Sequence, residues 1–130
     1  MIIWFKMRKY KKLIVSLIQF MVKNGYTIKP LPKVIFNDEQ QEEDVFIKTG
    51  YYDPNNMEVY VFTNDRHIKD ILRSLAHELI HHKQNVDGRL GAGSYDGETI
   101  YNDEKLQRLE EEAYLRGNIA FRTWTETINK

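Results

Sequence analysis

Two histidines four residues apart, with a glutamate between them, carry the chemistry that this chain can do: His77-Glu78-Leu79-Ile80-His81. On a helix, residues i and i+4 lie one turn apart on the same face, so both imidazoles can converge on one metal ion while the intervening carboxylate stands beside it. Zinc suits that ligand set. The bland alternative is two surface histidines flanking a solvated glutamate, and a third ligand is what separates the two readings. The chain has four histidines, His67, His77, His81 and His82, and none follows His82. On a helix His82 points about 100° away from His81, and His67 falls near the helix start, so both read as packing or surface residues. A third protein ligand from later in the chain must then be a carboxylate.

The last segment offers one. Leu106, Glu110, Ala113, Gly117, Ala120 and Trp124 recur at helical spacing, which places a single charged residue in an otherwise apolar stripe. Ala113, Gly117 and Ala120 are small enough to let this helix approach a neighbour closely, and a carboxylate drawn into such a contact is costly unless paired or metal-bound. Glu110 is therefore the expected third ligand. Glu111 and Glu112 rotate off the stripe and stay as alternates, since a shift of register by one residue would exchange them with Glu110.

The elements that must position these residues can be read from periodicity. A helix from about Asp65 to Val86 carries the histidine motif, with Asn64 and Asp65 as capping candidates and Asp87-Gly88 as the stop. Ile68, Ile71, Leu72, Leu75 and Leu79 form its core face, and His77 and His81 project from the other side with Asp70 and Ser74. A final helix spans about Asn102 to Thr127. Between the two, Asp87 to Tyr101 holds Gly88, Gly91, Gly93 and Gly97 and reads as a flexible connection or the rim of a site.

Upstream, Lys6, Arg8, Lys9, Lys11 and Lys12 precede the apolar run Leu13 to Val22. No small-residue cleavage site follows and ten residues cannot span a bilayer, so the expectation is an amphipathic first helix ending at Asn24-Gly25. Three short strands are expected at Lys33 to Phe36, Val45 to Tyr52 and Met57 to Thr63, the last two joined by the turn Asp53-Pro54-Asn55-Asn56 and hence antiparallel.

Composition bounds the rest. The chain has 130 residues, 19 Lys+Arg against 19 Asp+Glu, and 42 % hydrophobic residues, as expected of one soluble domain over residues 1–130. The absence of cysteine excludes a disulfide scaffold, a Cys-ligated zinc finger and a cysteine nucleophile. Zero net charge argues against a partner bound by neutralising many phosphates, so no specific nucleic acid is expected. Cysteine content is neutral about compartment, and the expectation is an intracellular, cytoplasmic setting.

These motifs resemble the gluzincin-like zinc metallopeptidases, which combine H-E-x-x-H on one helix with E-x-x-A on a later one, here Glu110-Glu111-Glu112-Ala113. The order of helix, three strands, motif helix and ligand helix is similar to the compact zincin-like domain of ImmA/IrrE-type and small phage-encoded peptidases, over about residues 45 to 125. Tyr114 departs from the Asn or Asp usual after that alanine. SprT-like proteins need a third histidine and peptide deformylases a cysteine, both missing here. The metzincin pattern needs Gly at 84, where Gln84 stands, although Asp87 occupies its ligand position and so remains an alternate.

The resemblance implies an α+β zincin-like domain with a three-stranded, mainly antiparallel sheet. It also implies a Zn2+ cofactor held by His77, His81 and Glu110, with Glu78 as general base in hydrolysis of a peptide or protein substrate. Tyr95, Tyr101, Tyr114 and Arg116 are open as the second oxyanion donor. Met57 to Thr63 takes the place of the edge strand that pairs with substrate, or else is interior. The competing reading is a non-catalytic binding or structural protein in which zinc staples the last two helices.

Overall fold

The computed structural model describes residues 1–4, 6–40, 49–90 and 104–129. In chain order these form β1 (Ile2–Ile3), a 3-10 turn at Arg8–Tyr10, α1 (Lys11–Lys23), β2 (Lys33–Asn37), β3 (Gly50–Asp53), β4 (Glu58–Phe62), α2 (Ile68–Val86) and α3 (Glu104–Ile128). Residues 45–48 of the expected second strand lie outside the described residues. So do Gly91, Gly93 and Gly97 of the connection and the expected start of the last helix at Asn102.

Side-chain alternation settles which face of the sheet is inner. Val34 and Phe36 on β2, Tyr52 on β3, and Val59 and Val61 on β4 are buried, while residues between them on the strands stay half-exposed. They join Ile14, Leu17 and Met21 of α1 and Ile71, Leu72, Leu75 and Leu79 of α2 in one core. On the outer face Tyr51 sits directly opposite Tyr60 and their rings stack with centroids 4.4 Å apart.

The sheet differs from expectation in size and direction. Among the described residues it has four strands, not three, in the order β1-β2-β4-β3, and the first two pairings are parallel while β3 and β4 are antiparallel. The mainly antiparallel, three-stranded sheet is thus corrected to a mixed one. The hairpin between β3 and β4 forms as its residues dictate, with Asp53 Oδ1 accepting the backbone N–H groups of Asn55 at 3.0 Å and Asn56 at 3.3 Å. Because β2 pairs with the far side of β4, the segment at Met57 to Thr63 is interior, and among the described residues the edge strand on that side is β3.

The helices also shift at their ends. Helix α2 begins at Ile68 and is capped by His67, whose Nδ1 accepts the N–H of Lys69 at 3.1 Å, instead of by Asn64 or Asp65. Asp65 takes a positive φ of 55° in the turn before it. The expected stop holds: Gly88 follows the C-cap Asp87 with φ +76°, a left-handed conformation that glycine adopts without a Cβ penalty. Among the described residues no helix is long and apolar enough to cross a membrane.

Candidate metal centre

Helix α2 is packed on two sides, by the sheet through its aliphatic face and by α3 through the face bearing His77. Small residues make the second contact possible. Ala113, Gly117 and Ala120 are buried, and a Cβ placed on Gly117 would lie 2.9 Å from His77 Cα and 3.1 Å from His77 N. Only a glycine lets the two backbones come this close.

That approach carries Glu110, two turns before Gly117, onto the histidines. One carboxylate oxygen, Oε1, lies 2.8 Å from His77 Nε2, and the other, Oε2, lies 2.8 Å from His81 Nε2. The two rings stand almost perpendicular, 85° apart, with centroids separated by 4.9 Å. Glu78 completes the group: ligand atoms of His77, Glu78 and His81 lie within 4.8 Å of one another.

The charges follow from this packing. Burial raises the pKa of Glu110, but the hydrogen bonds and charges of His77 and His81 outweigh it and hold the carboxyl at about 2. Burial works against a charged His81, yet the hydrogen bond to Glu110 and the charges of Glu78 and Glu110 leave its pKa above the usual value. Glu78 is only 5 % exposed, and burial pushes its carboxyl up, with the His81 and His77 charges partly opposing. The edge strand runs over it: a Cβ on Gly50 would lie 3.3 Å from Glu78 Cγ and 2.7 Å from the Tyr60 carbonyl oxygen.

His81 has the orientation that a metal ligand needs. Its Nδ1–H donates to Gln84 Oε1 at 2.9 Å, and Gln84 Nε2 in turn donates to the Leu109 carbonyl of α3 at 2.9 Å. Nε2 is then the nitrogen whose lone pair becomes free when one proton leaves. His77 lacks such a partner: its Nδ1 is buried and makes no hydrogen bond among the described residues. The donor set of two imidazoles and one carboxylate fits zinc. With metal bonds of about 2.0–2.2 Å at tetrahedral angles, N and O would sit roughly 3.3 Å apart, so each of the 2.8 Å contacts would have to open to admit an ion.

The other candidates are engaged elsewhere. Asp87 pairs with Lys83 at 2.6 Å and accepts from Thr27 Oγ1 at 2.7 Å. Glu112 takes both nitrogens of the Arg89 fork, at 2.7 and 2.6 Å, and Glu111 is exposed. Of the four possible oxyanion donors, Tyr114 lies against the His77 ring at 4.4 Å between centroids, Arg116 is exposed, and Tyr95 and Tyr101 lie outside the described residues.

His67 is the helix cap. His82, fully buried, is a packing residue with both nitrogens used: Nε2–H donates to the Pro30 carbonyl at 2.7 Å and Nδ1 accepts from Tyr52 O–H at 2.6 Å. Sequence reasoning missed Gln84 and Gly50. Gln84 had a local signal, since it lies three residues beyond His81 on the same helix and is within reach of it. Gly50 had none, because its contact with Glu78 crosses from strand to helix. No protein-family model, no curated protein and no solved structure matches this chain.

Proposed function

We propose that this protein is a zinc-dependent metallopeptidase of gluzincin-like type. The observation that supports the reading best is the meeting of His77 Nε2 and His81 Nε2 with the two oxygens of the Glu110 carboxylate, each at 2.8 Å, beside the buried Glu78. His77, His81 and Glu110 would hold the ion. Zinc bound there supplies a Lewis-acid position and lowers the pKa of a coordinated water towards roughly 7.

The chain's own groups do the remaining work. Glu78 accepts the proton of the attacking water and later delivers it to the amine nitrogen as the peptide C–N bond breaks. Burial raises its pKa above that of an ordinary carboxylate, which makes it a stronger proton acceptor. Gln84 keeps His81 in one orientation through both events. The outer edge of β3 passes Glu78 at Gly50, where main-chain groups can pair with an extended peptide and side chains add little selectivity. The protein would act within the cell.

A second reading has an observation of its own. Glu78 is buried and lies within ligand distance of the histidines, as a fourth ligand of a closed, structural zinc site would. The two separate in one experiment: zinc content by mass spectrometry for wild type, Glu110→Ala, Asp87→Ala and Glu78→Gln, with hydrolysis of casein or a quenched peptide library alongside. The peptidase reading expects about one zinc per chain, lost in Glu110→Ala and kept in the other two, with cleavage abolished in Glu78→Gln. Zinc without cleavage in wild type, weakened by Glu78→Gln, favours the staple. Wild type that takes up no zinc refutes both.

A further inference from the structure

Four large apolar residues of α3 are exposed, Tyr114, Leu115, Ile119 and Ile128, and two of them share its outward side. Leu115 and Ile119 are 63 % and 49 % exposed and lie on the side of the helix about opposite to Ala113, Gly117, Ala120 and Trp124, which pack inward. They are flanked along the same outward stripe by charges. Arg108 and Glu111 precede them and Arg122 and Glu126 follow, all exposed.

The order of these residues is self-complementary. A two-fold axis crossing the helix at Gly117 would lay a second α3 antiparallel on the first. Leu115 then meets Ile119 of the other copy, and Arg108 meets the other copy's Glu126. Glu111 and Glu112 fall beside the other copy's Arg122. Every contact occurs twice, as an isologous interface requires. The spacing from Arg108 through Glu112, Leu115, Ile119 and Arg122 to Glu126 alternates four and three, the repeat that keeps one seam of a helix facing an antiparallel partner. Within one chain Arg122 has only a loose intrahelical contact with Glu126 at 3.5 Å, with side chains 84 % and 65 % exposed, so both are available. Arg89 already occupies Glu112, which leaves the exposed Glu111, with no ion pair among the described residues, as the carboxylate for the other copy's Arg122.

We propose that the outward face of α3 is a two-fold self-association surface whose partner is a second copy of this chain. The surface is independent of the metal centre, which lies on the opposite side of α3. With two apolar side chains per copy it sits at the small end of interfaces, and the dimer exchanges with monomer in the micromolar range or weaker.

Sedimentation equilibrium of the full chain over a concentration series tests this, with wild type, Arg108→Glu, Ile119→Asp and the double variant Arg108→Glu/Glu126→Arg. All these side chains are exposed, and unchanged circular dichroism confirms the fold of each variant. The expected result is a wild-type dimer weakened at least about tenfold by either single substitution and restored by the double one, since the swapped charges again face each other. A chain that stays monomeric up to about 0.5 mM, a dimer indifferent to these changes, or a double variant no better than Arg108→Glu overturns the proposal.

Discussion

Replacing Gly117 by alanine adds one methyl group at the tightest point between α2 and α3, and its consequence can be worked out from distances. The new Cβ would sit 2.9 Å from His77 Cα and 3.1 Å from His77 N, both backbone atoms inside a helix that cannot swing away as a side chain can. Restoring ordinary contact moves the helices apart by roughly half an ångström or more, against an overpacking cost of about 1–3 kcal/mol. Alanine also favours helix over glycine by about 1 kcal/mol, so the net loss is about 1 kcal/mol and the melting temperature falls by about 4 °C. The effect on metal binding is larger than the effect on stability. Glu110 rides on α3 and the histidines on α2, and ligand positions tolerate only about 0.2 Å, so zinc affinity should fall at least tenfold. Thermal melts with chelator present and competitive zinc titration read the two effects separately. Asn118→Ala, one residue on and exposed, gains helix propensity without a clash and serves as control. If Gly117→Ala melts as high as Asn118→Ala and binds zinc like wild type, the reasoning from close approach is wrong.

Gln84→Leu keeps the bulk of a fully buried side chain but leaves His81 Nδ1–H without its acceptor, and is expected to cost about 1–3 kcal/mol and to weaken zinc about 10–100-fold; unchanged affinity in a chelator competition counts against an orienting role. Tyr52→Phe removes a hydroxyl that donates to His82 and accepts from Asn85 Nδ2 at 2.9 Å, and should cost about 1–2 kcal/mol in a denaturant melt while zinc content stays as in wild type. In metal-free protein, nuclear magnetic resonance should find His82 titrating below its ordinary value, because burial opposes its charge, and His81 titrating above, because Glu110 and Glu78 favour it. The signs are opposite. Below pH about 6.5 the unfolded chain protonates a residue that the fold keeps neutral, so His82 costs up to about 1.4 kcal/mol per pH unit down to its folded pKa, whereas the stability from His81 is full below pH about 6.5 and is lost as pH rises through its folded pKa. A His82 that titrates above 6.5 would contradict the burial argument.

Much of this architecture was legible because it is local. The stripes of α1, α2 and α3 need only i, i+3 and i+4 neighbours, and the stop at Gly88 and the turn at Asp53 are read from single residues. Glu110 was legible for a related reason, as one charge among small residues at helical spacing. The partnerships of the sheet were not. Strand β1 is Ile2–Ile3, too short to show alternation, and its pairing with β2 joins residues about thirty positions apart, as Ile2 faces Val34. Nothing in Glu58-Val59-Tyr60-Val61-Phe62 tells that β2 runs parallel along its far side. The cap was misplaced because Asn64 and Asp65 are better capping types than His67, and the Asp65 turn moves the helix start beyond them.

The layering of α2 between sheet and α3 has an energetic consequence. Helix α3 rests chiefly on α2, with a lesser contact to α1, so it is the outermost layer and the natural first unit to detach in a partial opening. It carries one of the three candidate ligands, while the motif helix that carries the other two is anchored in the core. Docking of α3 and binding of an ion across these residues would therefore be coupled. An ion bound across His77, His81 and Glu110 would lower the population of the opened form by its full binding factor, and slow amide exchange along α3 more than in the sheet.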